Sequence, residues 1–319
     1  MLLLLKPGSM GDVIHSLPVV AAIHRSRPDI RVSWVIDPRW AQLLEENPGV
    51  AEVVLFPRES FRGAAGFFRA VRWYAGLRRL QPDTVLDLQG LLRSALMAKL
   101  SGGKNLIGLG DAREGSRFFY HQRVEVLPGE HAVDRYLRAL APLGISRPEV
   151  CEFPLPGGVR PRLPERYVVL HPFARGLGKS IGDAEIKAFL DEFSRASPLP
   201  VVLVGFGTPP PDLPGPVINL TGKTSLLELI GMLRGSQFTV SVDSGPMHLA
   251  AALHRPMLGI HTWSNPCRVG PYSPAAWIWQ GGEIRLQDLR RSPLPEAPFS
   301  EAAAREAARL AAREANSSC

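Results

Sequence analysis

Short apolar runs alternate with helical segments along the whole chain. Alternating strands and helices of this kind are typical of parallel sheets that are covered on both faces. In the first half we predict strands at 2–5, 32–36, 51–55, 84–88 and 105–108, and helices at 12–26, 65–80, 91–101 and 131–143. The first half is therefore predicted to be an α/β domain.

The same alternation resumes after a linker. Residues 151–165 contain four prolines and two glycines, a composition that is typical of linkers. The second half has predicted strands at 167–170, 201–204, 217–220, 238–242 and 257–260, and predicted helices at 183–196, 225–234 and 245–253. The tail at 300–314 is rich in alanine and arginine and is also predicted to be helical. The predicted organisation is two Rossmann-like domains, at 1–155 and 165–298, and a C-terminal helix at 299–319.

The turn at 243–248 joins a predicted buried strand to a predicted helix. Asp243 or Ser244 can cap that helix, and Gly245 allows a ligand to approach the backbone. Free backbone N–H groups and the positive end of a helix dipole attract phosphate at such a turn. His248, in the first helical turn, can face the same anion. An ordinary capped crossover without a ligand is an equally open interpretation of this turn alone.

A similar turn follows the first strand and carries a carboxylate. Leu2–Leu5 is fully apolar, Gly8 and Gly11 flank the loop after it, and Asp12 opens the next predicted helix. The N-terminus of a helix stabilises an ionised carboxylate, so Asp12 is a candidate general base. Taken alone, this part of the sequence favours the simpler role of a helix cap for Asp12.

The formal net charge of +7 indicates acidic partners. Six arginines between residues 57 and 79 are interleaved with aromatic residues; they are Arg58, Arg62, Arg69, Arg72, Arg78 and Arg79. A basic, aromatic-rich helix suits an anionic membrane surface or an anionic glycolipid, and nucleic acid would fit the charge equally well. A solvated arginine face over an aromatic core is the remaining interpretation.

The chain is expected to be cytoplasmic. Residues 1–5 are too short for the apolar core of a signal peptide, and no run of about 18 apolar residues follows. Cys151, Cys267 and Cys319 have no C-x-x-C spacing, which argues against a disulfide framework or a zinc site.

Five motifs together resemble the ADP-heptose:lipopolysaccharide heptosyltransferases, glycosyltransferase family 9. The first and the last are the two turns described above, within Lys6–His15 and Asp243–Leu249. The other three, at 87–95, 111–114 and 131–135, are similar to the heptosyltransferase I branch. The resemblance runs from residue 1 to about residue 280, with the motifs in the expected order.

This resemblance implies an inverting glycosyltransferase with the GT-B fold. In that fold two Rossmann-like domains face each other across a cleft, and a C-terminal helix crosses back to the first domain. The enzyme would move L-glycero-D-manno-heptose from ADP-heptose to the Kdo sugars of a Kdo–lipid A acceptor. It would work without a cofactor, at the inner face of the inner membrane, and nucleic acid is then not an expected partner.

The resemblance also assigns roles to residues. Asp12 would deprotonate the acceptor hydroxyl, and Lys179 would pair with the donor diphosphate and assist its departure. The donor-binding candidates are Lys179, Asp243, Ser244, Gly245 and His248. The acceptor-binding candidates are Gly11, Arg62, Arg69, Arg72 and Arg113. The arginines are chosen for their chemistry, because guanidinium groups suit carboxylates and phosphates, and only Arg113 lies in one of the motifs.

Two features concern the metal and the nucleotide. The sequence has no D-x-D pair, whereas metal-dependent glycosyltransferases need clustered carboxylates, so we expect no metal. The family usually has an acidic residue after the second strand of the nucleotide domain, where it contacts the nucleoside. Here Gly205–Gly207 is followed by Thr208 and three prolines, and Asp212 is the nearest acidic candidate.

Other functions remain open at this point. Another NDP-sugar glycosyltransferase or a GT-B-fold epimerase would share the fold, although an epimerase needs acid and base groups on both faces of one sugar. A P-loop kinase is disfavoured because Phe173 replaces the first glycine of the Walker pattern that ends at Gly178–Ser180. A nucleic-acid-binding protein would explain the charge but would leave Asp12 and residues 243–248 without a role.

Overall fold

The computed structural model describes residues 1–174, 176 and 178–317. The chain divides into two compact units, Met1–Pro156 and Gly157–Cys319. The boundary between them falls inside the predicted linker at 151–165. Each unit is described by itself below.

The first unit, in which every residue is described, contains a sheet of six parallel strands in the order β3-β2-β1-β4-β5-β6. The strands are β1 (Leu2–Leu5), β2 (Val32–Ile36), β3 (Glu52–Leu55), β4 (Thr84–Asp87), β5 (Asn105–Leu109) and β6 (Gln122–Val124). The helices are α1 (Met10–Ser26), α2 (Gly63–Gly76), α3 (Leu92–Leu100) and α4 (Ala132–Leu137). The four leucines of β1 are buried because both neighbouring positions in the sheet are filled, with Leu4 opposite Trp34 on one side and Leu86 on the other.

A strand and a helix are among the elements of this unit that differ from the sequence-based prediction. Strand β6 was not predicted, because its two exposed polar residues, Gln122 and Arg123, hide the apolar pattern at the edge of the sheet. The single helix predicted at 131–143 ends as an α-helix at Leu137 and continues as a 3₁₀ segment over Arg138–Leu143. Pro142 lies in that segment, and a proline cannot donate the hydrogen bond that an α-helix requires.

In the described part of the second unit, seven strands form a sheet in the order β13-β12-β11-β10-β7-β8-β9. The strands are β7 (Val168–His171), β8 (Val201–Leu203), β9 (Val217–Asn219), β10 (Phe238–Val242), β11 (Met257–His261), β12 (Trp277–Gln280) and β13 (Glu283–Leu286). The helices are α5 (Asp183–Ala196), α6 (Leu226–Gly235), α7 (Gly245–Ala252), α8 (Pro266–Val269) and α9 (Glu301–Ser317). All strand pairs are parallel except β12 with β13.

The antiparallel hairpin of β12 and β13 was not predicted from the sequence. Its two-residue turn is Gly281–Gly282, and both glycines have positive φ angles, 60° and 89°. A two-residue hairpin turn of this kind matches the twist of its strands and needs residues that tolerate positive φ. The Gly-Gly pair was the available signal for this turn.

The C-terminal helix belongs to the core of the second unit, where α9 packs against α5 and the second sheet. The reason is its stripe of small residues, which includes Ala304, Ala307, Ala308 and Ala311 and is fully buried against side chains such as Phe189 of α5. Alanines at helical spacing let two helices approach closely and bury apolar area on both. The expected crossing of α9 to the first domain stays a prediction.

Three findings concern membrane spans, disulfides and metal-ligand clusters among the described residues. No helix among them is long and apolar enough to cross a bilayer. Cys151 and Cys267 are in no disulfide there, and Cys319 lies outside the described residues. No group of three or more His, Cys, Asp or Glu side chains in the described part of the chain is arranged to hold a metal ion.

Candidate functional site

Asp12 lies in the first turn of α1 and does act as a cap. Ser9 is the N-cap residue, and its backbone N–H donates to Asp12 Oδ2 at 2.9 Å. The Ser9 hydroxyl is 3.1 Å from the same oxygen. A carboxylate in this position satisfies a free helical N–H group and interacts favourably with the helix dipole. The cap interpretation is therefore correct for one of the two carboxylate oxygens.

The other oxygen of Asp12 has partners that a cap does not need. Tyr136 Oη, from α4, donates to Asp12 Oδ1 at 2.8 Å. Lys6 Nζ, just after β1, is 3.3 Å from Asp12 Oδ1 and 2.7 Å from Tyr136 Oη. The Lys6 side chain is only 3% exposed, whereas that of Asp12 is 36% exposed. A buried cation thus supports a carboxylate that solvent or a ligand can still reach; we call Lys6, Ser9, Asp12 and Tyr136 the Asp12 site.

The environment of Asp12 favours its ionised form. Burial by itself opposes ionisation, but the Lys6 ammonium and the hydrogen bonds from Tyr136 and Ser9 outweigh it and hold the pKa of Asp12 below its usual value. Burial lowers the pKa of Lys6, and the Asp12 charge counteracts that effect. Burial and the Asp12 charge raise the pKa of Tyr136 well above its ordinary value, so the phenol keeps its proton and remains a donor.

The other resemblance motifs of the first unit brace the same end of its sheet. Arg135 donates two hydrogen bonds to Asp111, at 2.9 and 2.6 Å, and its guanidinium lies 5.2 Å from the centroid of the Tyr136 ring. Asp87, at the end of β4, is buried and accepts from the N–H groups of the turn after it and from the Tyr120 hydroxyl at 2.8 Å. These carboxylates are occupied in holding loops, which distinguishes them from Asp12.

The acceptor-binding candidates are spread over three places. Gly11 is buried in the first turn of α1, directly before Asp12. Arg113 is exposed on the loop after β5, and its backbone N–H donates to Gly90 O at 2.8 Å. Arg62, Arg69 and Arg72 lie at the start of α2 and along it, and all three are exposed.

Helix α2 presents aromatic residues as well as arginines to solvent. Phe67 and Phe68 are 64% and 73% exposed. On the opposite side Trp73 packs against Phe56, with ring centroids 5.0 Å apart. Arg69 Nε donates to the Ser60 carbonyl at 2.8 Å, which ties the helix to the segment before it. The helix therefore has an aromatic face toward the core and a second, mixed aromatic and basic face toward solvent.

The predicted phosphate turn of the second unit has the expected geometry. Ser244 is the N-cap residue of α7 with an extended backbone, and Pro246 lies in the first turn. Asp243 Oδ1 is 3.8 Å from His248 Nε2, and both side chains are mostly buried. The structure thus brings Asp243, Ser244, Gly245 and His248 together at the carboxyl end of β10, where the free N–H groups of α7 begin.

Two buried histidines end the strands on either side of β10. His171 ends β7, and its Nδ1 is 3.2 Å from Ser244 Oγ and 3.3 Å from Ser241 Oγ. His261 ends β11, and its Nδ1 is 2.8 Å from Ser264 Oγ. Burial lowers the pKa of each to about 4, so both rings are neutral near pH 7. We call His171, Ser244, His248, Lys179 and the start of α7 the α7 site.

Lys179 is held by a residue that sequence reasoning did not single out. Its Nζ lies 3.7 Å from the centroid of the Trp263 ring, a close cation–π contact. Trp263 follows β11 and is 44% exposed. The neighbouring Thr262 hydroxyl donates to Gly178 O at 3.2 Å. The loop after β7 is thus attached to the loop after β11; Arg175 and Leu177 of that loop lie outside the described residues.

Contacts of the loop after β8 concern two sequence patterns, the Walker phosphate loop and the acidic residue that contacts the nucleoside. Phe173 is buried and packs so closely that a Cβ built at Gly207 would lie 2.4 Å from its ring, so this position is core rather than the first glycine of a phosphate loop. Phe206, between the two glycines, is 84% exposed. Asp212 lies beyond the prolines with a left-handed backbone, φ 54°.

The residues missed from the sequence are Lys6, Tyr136, His171, His261 and Trp263. Lys6, His171 and His261 share a signal that could have found them, because each is a polar residue directly at the end of a fully apolar strand. Tyr136 follows a resemblance motif by one position and has no such signal.

Comparison with known proteins shows the family of this chain. The family model for glycosyltransferase family 9 (heptosyltransferase) matches residues 71–159 and 210–293, over half of the chain. Lipopolysaccharide heptosyltransferase 1 of Pseudomonas aeruginosa is 30% identical over 296 residues, which cover 85% of this chain and 81% of that protein. Lipopolysaccharide heptosyltransferase 1 of Escherichia coli K12 is 29% identical over 323 residues, which cover 92% and 98%.

Similar solved structures extend the comparison to the fold. The structure of E. coli heptosyltransferase WaaC with ADP has a TM-score of 0.75 and 26% sequence identity, and the match covers 88% of this chain and 93% of that one. The fold is therefore of the GT-B type. With the family model and the relatives matching most of its length, this chain is an enzyme that belongs to glycosyltransferase family 9, the heptosyltransferases.

Proposed function

We propose that this enzyme transfers heptose from ADP-L-glycero-D-manno-heptose to the Kdo inner core of lipopolysaccharide, with inversion at the anomeric carbon. The relatives that cover most of the chain are lipopolysaccharide heptosyltransferases, and one similar structure was solved with ADP-2-deoxy-2-fluoro heptose. The observation that carries the proposal is Asp12. Its carboxylate is kept ionised and remains partly exposed although its cationic partner is buried.

In this mechanism Asp12 is the general base. An acceptor hydroxyl gives its proton to Asp12, and its oxygen forms a bond to the anomeric carbon from the face opposite the nucleotide. The bond from that carbon to the diphosphate oxygen breaks, and ADP leaves with the electron pair. General-base assistance of this type contributes roughly 10²–10⁴-fold to the rate. Lys6 and Tyr136 keep Asp12 charged before the reaction. Gly11, directly before Asp12, and the exposed Arg113 are proposed acceptor contacts.

The α7 site would bind the leaving group. Backbone N–H groups at the start of α7 and the Lys179 ammonium can neutralise charge on the diphosphate, and such preorganised donors act where charge develops in the transition state. The Trp263 ring under the ammonium would hold the Lys179 charge in place for this role. In this proposal the first unit binds the acceptor and the second unit binds the donor. No metal is needed in this scheme.

Helix α2 is the proposed contact with the membrane that carries the acceptor. Its solvent face combines exposed Phe67 and Phe68 with Arg69 and Arg72. Aromatic residues that enter the headgroup region and arginines that pair with anionic lipids are the usual means of peripheral binding. The enzyme would then act on the cytoplasmic side of the inner membrane, with the arginines Arg62, Arg69 and Arg72 near the phosphates and carboxylates of the acceptor.

The test is a transfer assay with purified protein. Incubation with ADP-heptose and a Kdo–lipid A acceptor should yield an acceptor heavier by one heptose in mass spectrometry, with the anomeric configuration inverted by NMR. UDP- and GDP-sugars serve as controls for the donor. An altered free sugar nucleotide without transfer would indicate an epimerase, and transfer only from another nucleotide sugar would contradict the donor assignment.

A further inference from the structure

His171 connects three loops at the carboxyl end of the second sheet. It is the last residue of β7, the loop that carries Lys179 starts directly after it, and its side chain is 5% exposed. Its Nδ1 lies 3.2 Å from Ser244 Oγ at the start of α7 and 3.3 Å from Ser241 Oγ in β10. One ring nitrogen therefore faces both the hydroxyl next to the helix N-terminus and a hydroxyl inside the sheet.

The ring cannot move away from these hydroxyls. A Cβ built at Gly205 would lie 2.8 Å from His171 Nε2 and Cδ2, so the loop after β8 packs directly on the ring. Gly205 has a φ of 118°, a conformation that residues with side chains rarely adopt. The close approach of this backbone fixes the imidazole plane and thus the direction of Nδ1.

The Ser244 hydroxyl can accept a hydrogen bond from His171 Nδ1–H while it donates its own proton. Ser244 Oγ is 3.1 Å from the Val242 carbonyl, and Ser241 Oγ is 2.9 Å from the same carbonyl. A hydroxyl has one proton and two lone pairs. When Ser244 gives its proton to an anion at the start of α7, Ser241 still satisfies the carbonyl, and the Ser244 oxygen can accept from Nδ1–H. A donor behind a hydroxyl strengthens the hydrogen bond that the hydroxyl donates.

We propose that His171 is a positioning residue, which donates its Nδ1–H to Ser244 and so directs the Ser244 hydroxyl proton to an anionic oxygen bound at the start of α7. The identity of that anion as the diphosphate of the sugar-nucleotide donor rests on the proposed function. The ring acts as a neutral donor, which agrees with the low pKa of about 4 that its burial produces. The bound phosphate thus receives a hydrogen bond from the polarised Ser244 hydroxyl in addition to the charge of Lys179.

The test compares two replacements of His171. In His171→Asn the side-chain amide N–H lies near the position of Nδ1, whereas His171→Leu has a similar volume and no donor. We expect His171→Leu to raise the dissociation constant for ADP and the donor KM about tenfold, because a hydrogen bond in a chain that ends on a charged group is lost. His171→Asn should restore both to within about threefold of wild type, and kcat should change less than KM in each variant.

Two serine variants separate this role from simple packing. Ser241→Ala removes a hydroxyl at nearly the same distance from Nδ1 that satisfies the Val242 carbonyl but lies away from the helix start, so it should weaken ADP binding clearly less than Ser244→Ala does. Ser244→Ala should weaken binding, and adding His171→Leu to it should weaken binding no further. If His171→Leu does not fold, His171→Gln, whose amide reaches beyond the Nδ1 position, takes its place.

The outcomes distinguish the inference from the function on which it rests. Additive effects of His171→Leu and Ser244→Ala, or equal losses in Ser241→Ala and Ser244→Ala, would overturn the role of His171. Wild-type protein that binds inorganic pyrophosphate but not ADP would contradict the donor assignment, and the same variants scored with pyrophosphate would still decide the role of His171.

Discussion

The Asp12 site and the α7 site begin with the same local structure and then diverge. In both, a fully buried parallel strand ends in a loop and a helix starts directly after it. The Asp12 site places a buried ammonium and a phenol behind a carboxylate. The α7 site instead places neutral imidazoles and hydroxyls behind free backbone N–H groups, and its Asp243 carboxylate faces His248.

The difference indicates what each turn is suited to do. A carboxylate that must accept a proton needs a neighbouring positive charge to stay ionised, and Lys6 supplies it. A site that receives an anion needs donors that are fixed before the anion arrives, and neutral histidines hold such donors without adding a charge that must be solvated. Under the proposed function, the same strand-to-helix turn thus serves a base in one unit and an anion in the other.

The largest effect is expected for Asp12→Asn. The amide preserves the shape of the side chain but cannot take the acceptor proton, so kcat should fall by roughly 10²–10⁴-fold. The dissociation constant for ADP should stay within a few-fold, because ADP is assigned to the other unit. Steady-state kinetics and calorimetric titration with ADP measure the two quantities.

A matched control for this variant is Asp29→Asn, which removes a carboxylate that is exposed and paired with Arg27 in the same unit. It should leave kcat unchanged. If Asp12→Asn kept a near-normal kcat, Asp12 would be only the cap of α1. The proposed role of the Asp12 site as a base would then be wrong.

Lys179→Ala should have the next largest effect. Removing the ammonium should weaken ADP binding and slow transfer, together lowering kcat/KM by about 2–4 kcal/mol of transition-state stabilisation. His248→Ala should cost less, because the N–H groups of α7 still hold the phosphate. Trp263→Leu, which removes the platform under Lys179 but leaves the charge, should fall between the wild type and Lys179→Ala.

Two further measurements can contradict the proposed role of Lys179. EDTA should leave the wild-type rate unchanged, since Lys179 and the helix start are proposed to carry the neutralisation; inhibition that a divalent ion reverses would defeat the metal-free mechanism. Unchanged activity of Lys179→Ala at low donor concentration would remove the lysine from the site.

The buried histidines and Asp12 should lose their contributions to the free energy of unfolding in different pH ranges. Burial lowers the pKa of His171 and His261 from 6.5 to about 4, so the unfolded chain binds more protons than the folded one between these values. Their stabilising contribution is present above pH 6.5 and is lost as the pH falls toward 4. The pKa of Asp12 is lowered from 3.8, so its contribution is lost only below that value.

From pH 7 to pH 5 each of these histidines should therefore cost about 2 kcal/mol of unfolding free energy. Chemical denaturation at the two pH values measures this loss. His171→Asn should remove about half of it, since the amide does not titrate. A variant that unfolds with the same pH dependence as wild type would mean that His171 is not neutral and buried in solution.

The sequence predicts these two turns well and their partners poorly. The apolar runs locate β1 and β10, and the residues after them locate Asp12 and Ser244, because strand ends and helix starts are encoded locally. Tyr136 is 124 positions from Asp12, and His171 is 73 from Ser244, so these contacts depend on the order of strands in each sheet. Strands β6 and β13 were missed because they are edge strands whose exposed polar residues interrupt the apolar pattern. Strand β12 lies inside the sheet, and its short apolar run, Trp277–Gln280, was not recognised as a strand. The packing of α9 depends on which apolar face is left uncovered by the sheet.

The smallest effect concerns the arginines of α2 and tests which unit serves the acceptor. Arg69 and Arg72 are exposed beside Phe67 and Phe68. Each arginine near an anionic surface contributes on the order of 1 kcal/mol, so replacing both with glutamine should release the protein measurably from anionic vesicles in a sedimentation assay. Binding of the wild type should fall steeply with salt, because exposed charges are screened within about 8 Å at physiological ionic strength.

The acceptor and donor KM values of this double variant test which unit binds the acceptor. The double variant should raise the acceptor KM several-fold and leave the donor KM unchanged, because the donor is assigned to the second unit. Arg31→Gln with Arg123→Gln removes the same charge from exposed positions elsewhere in the first unit and should change neither constant. A solvated arginine face without function predicts no change from either pair. Loss of donor affinity in the Arg69 and Arg72 variant would instead mean that the acceptor and donor roles of the two units are reversed.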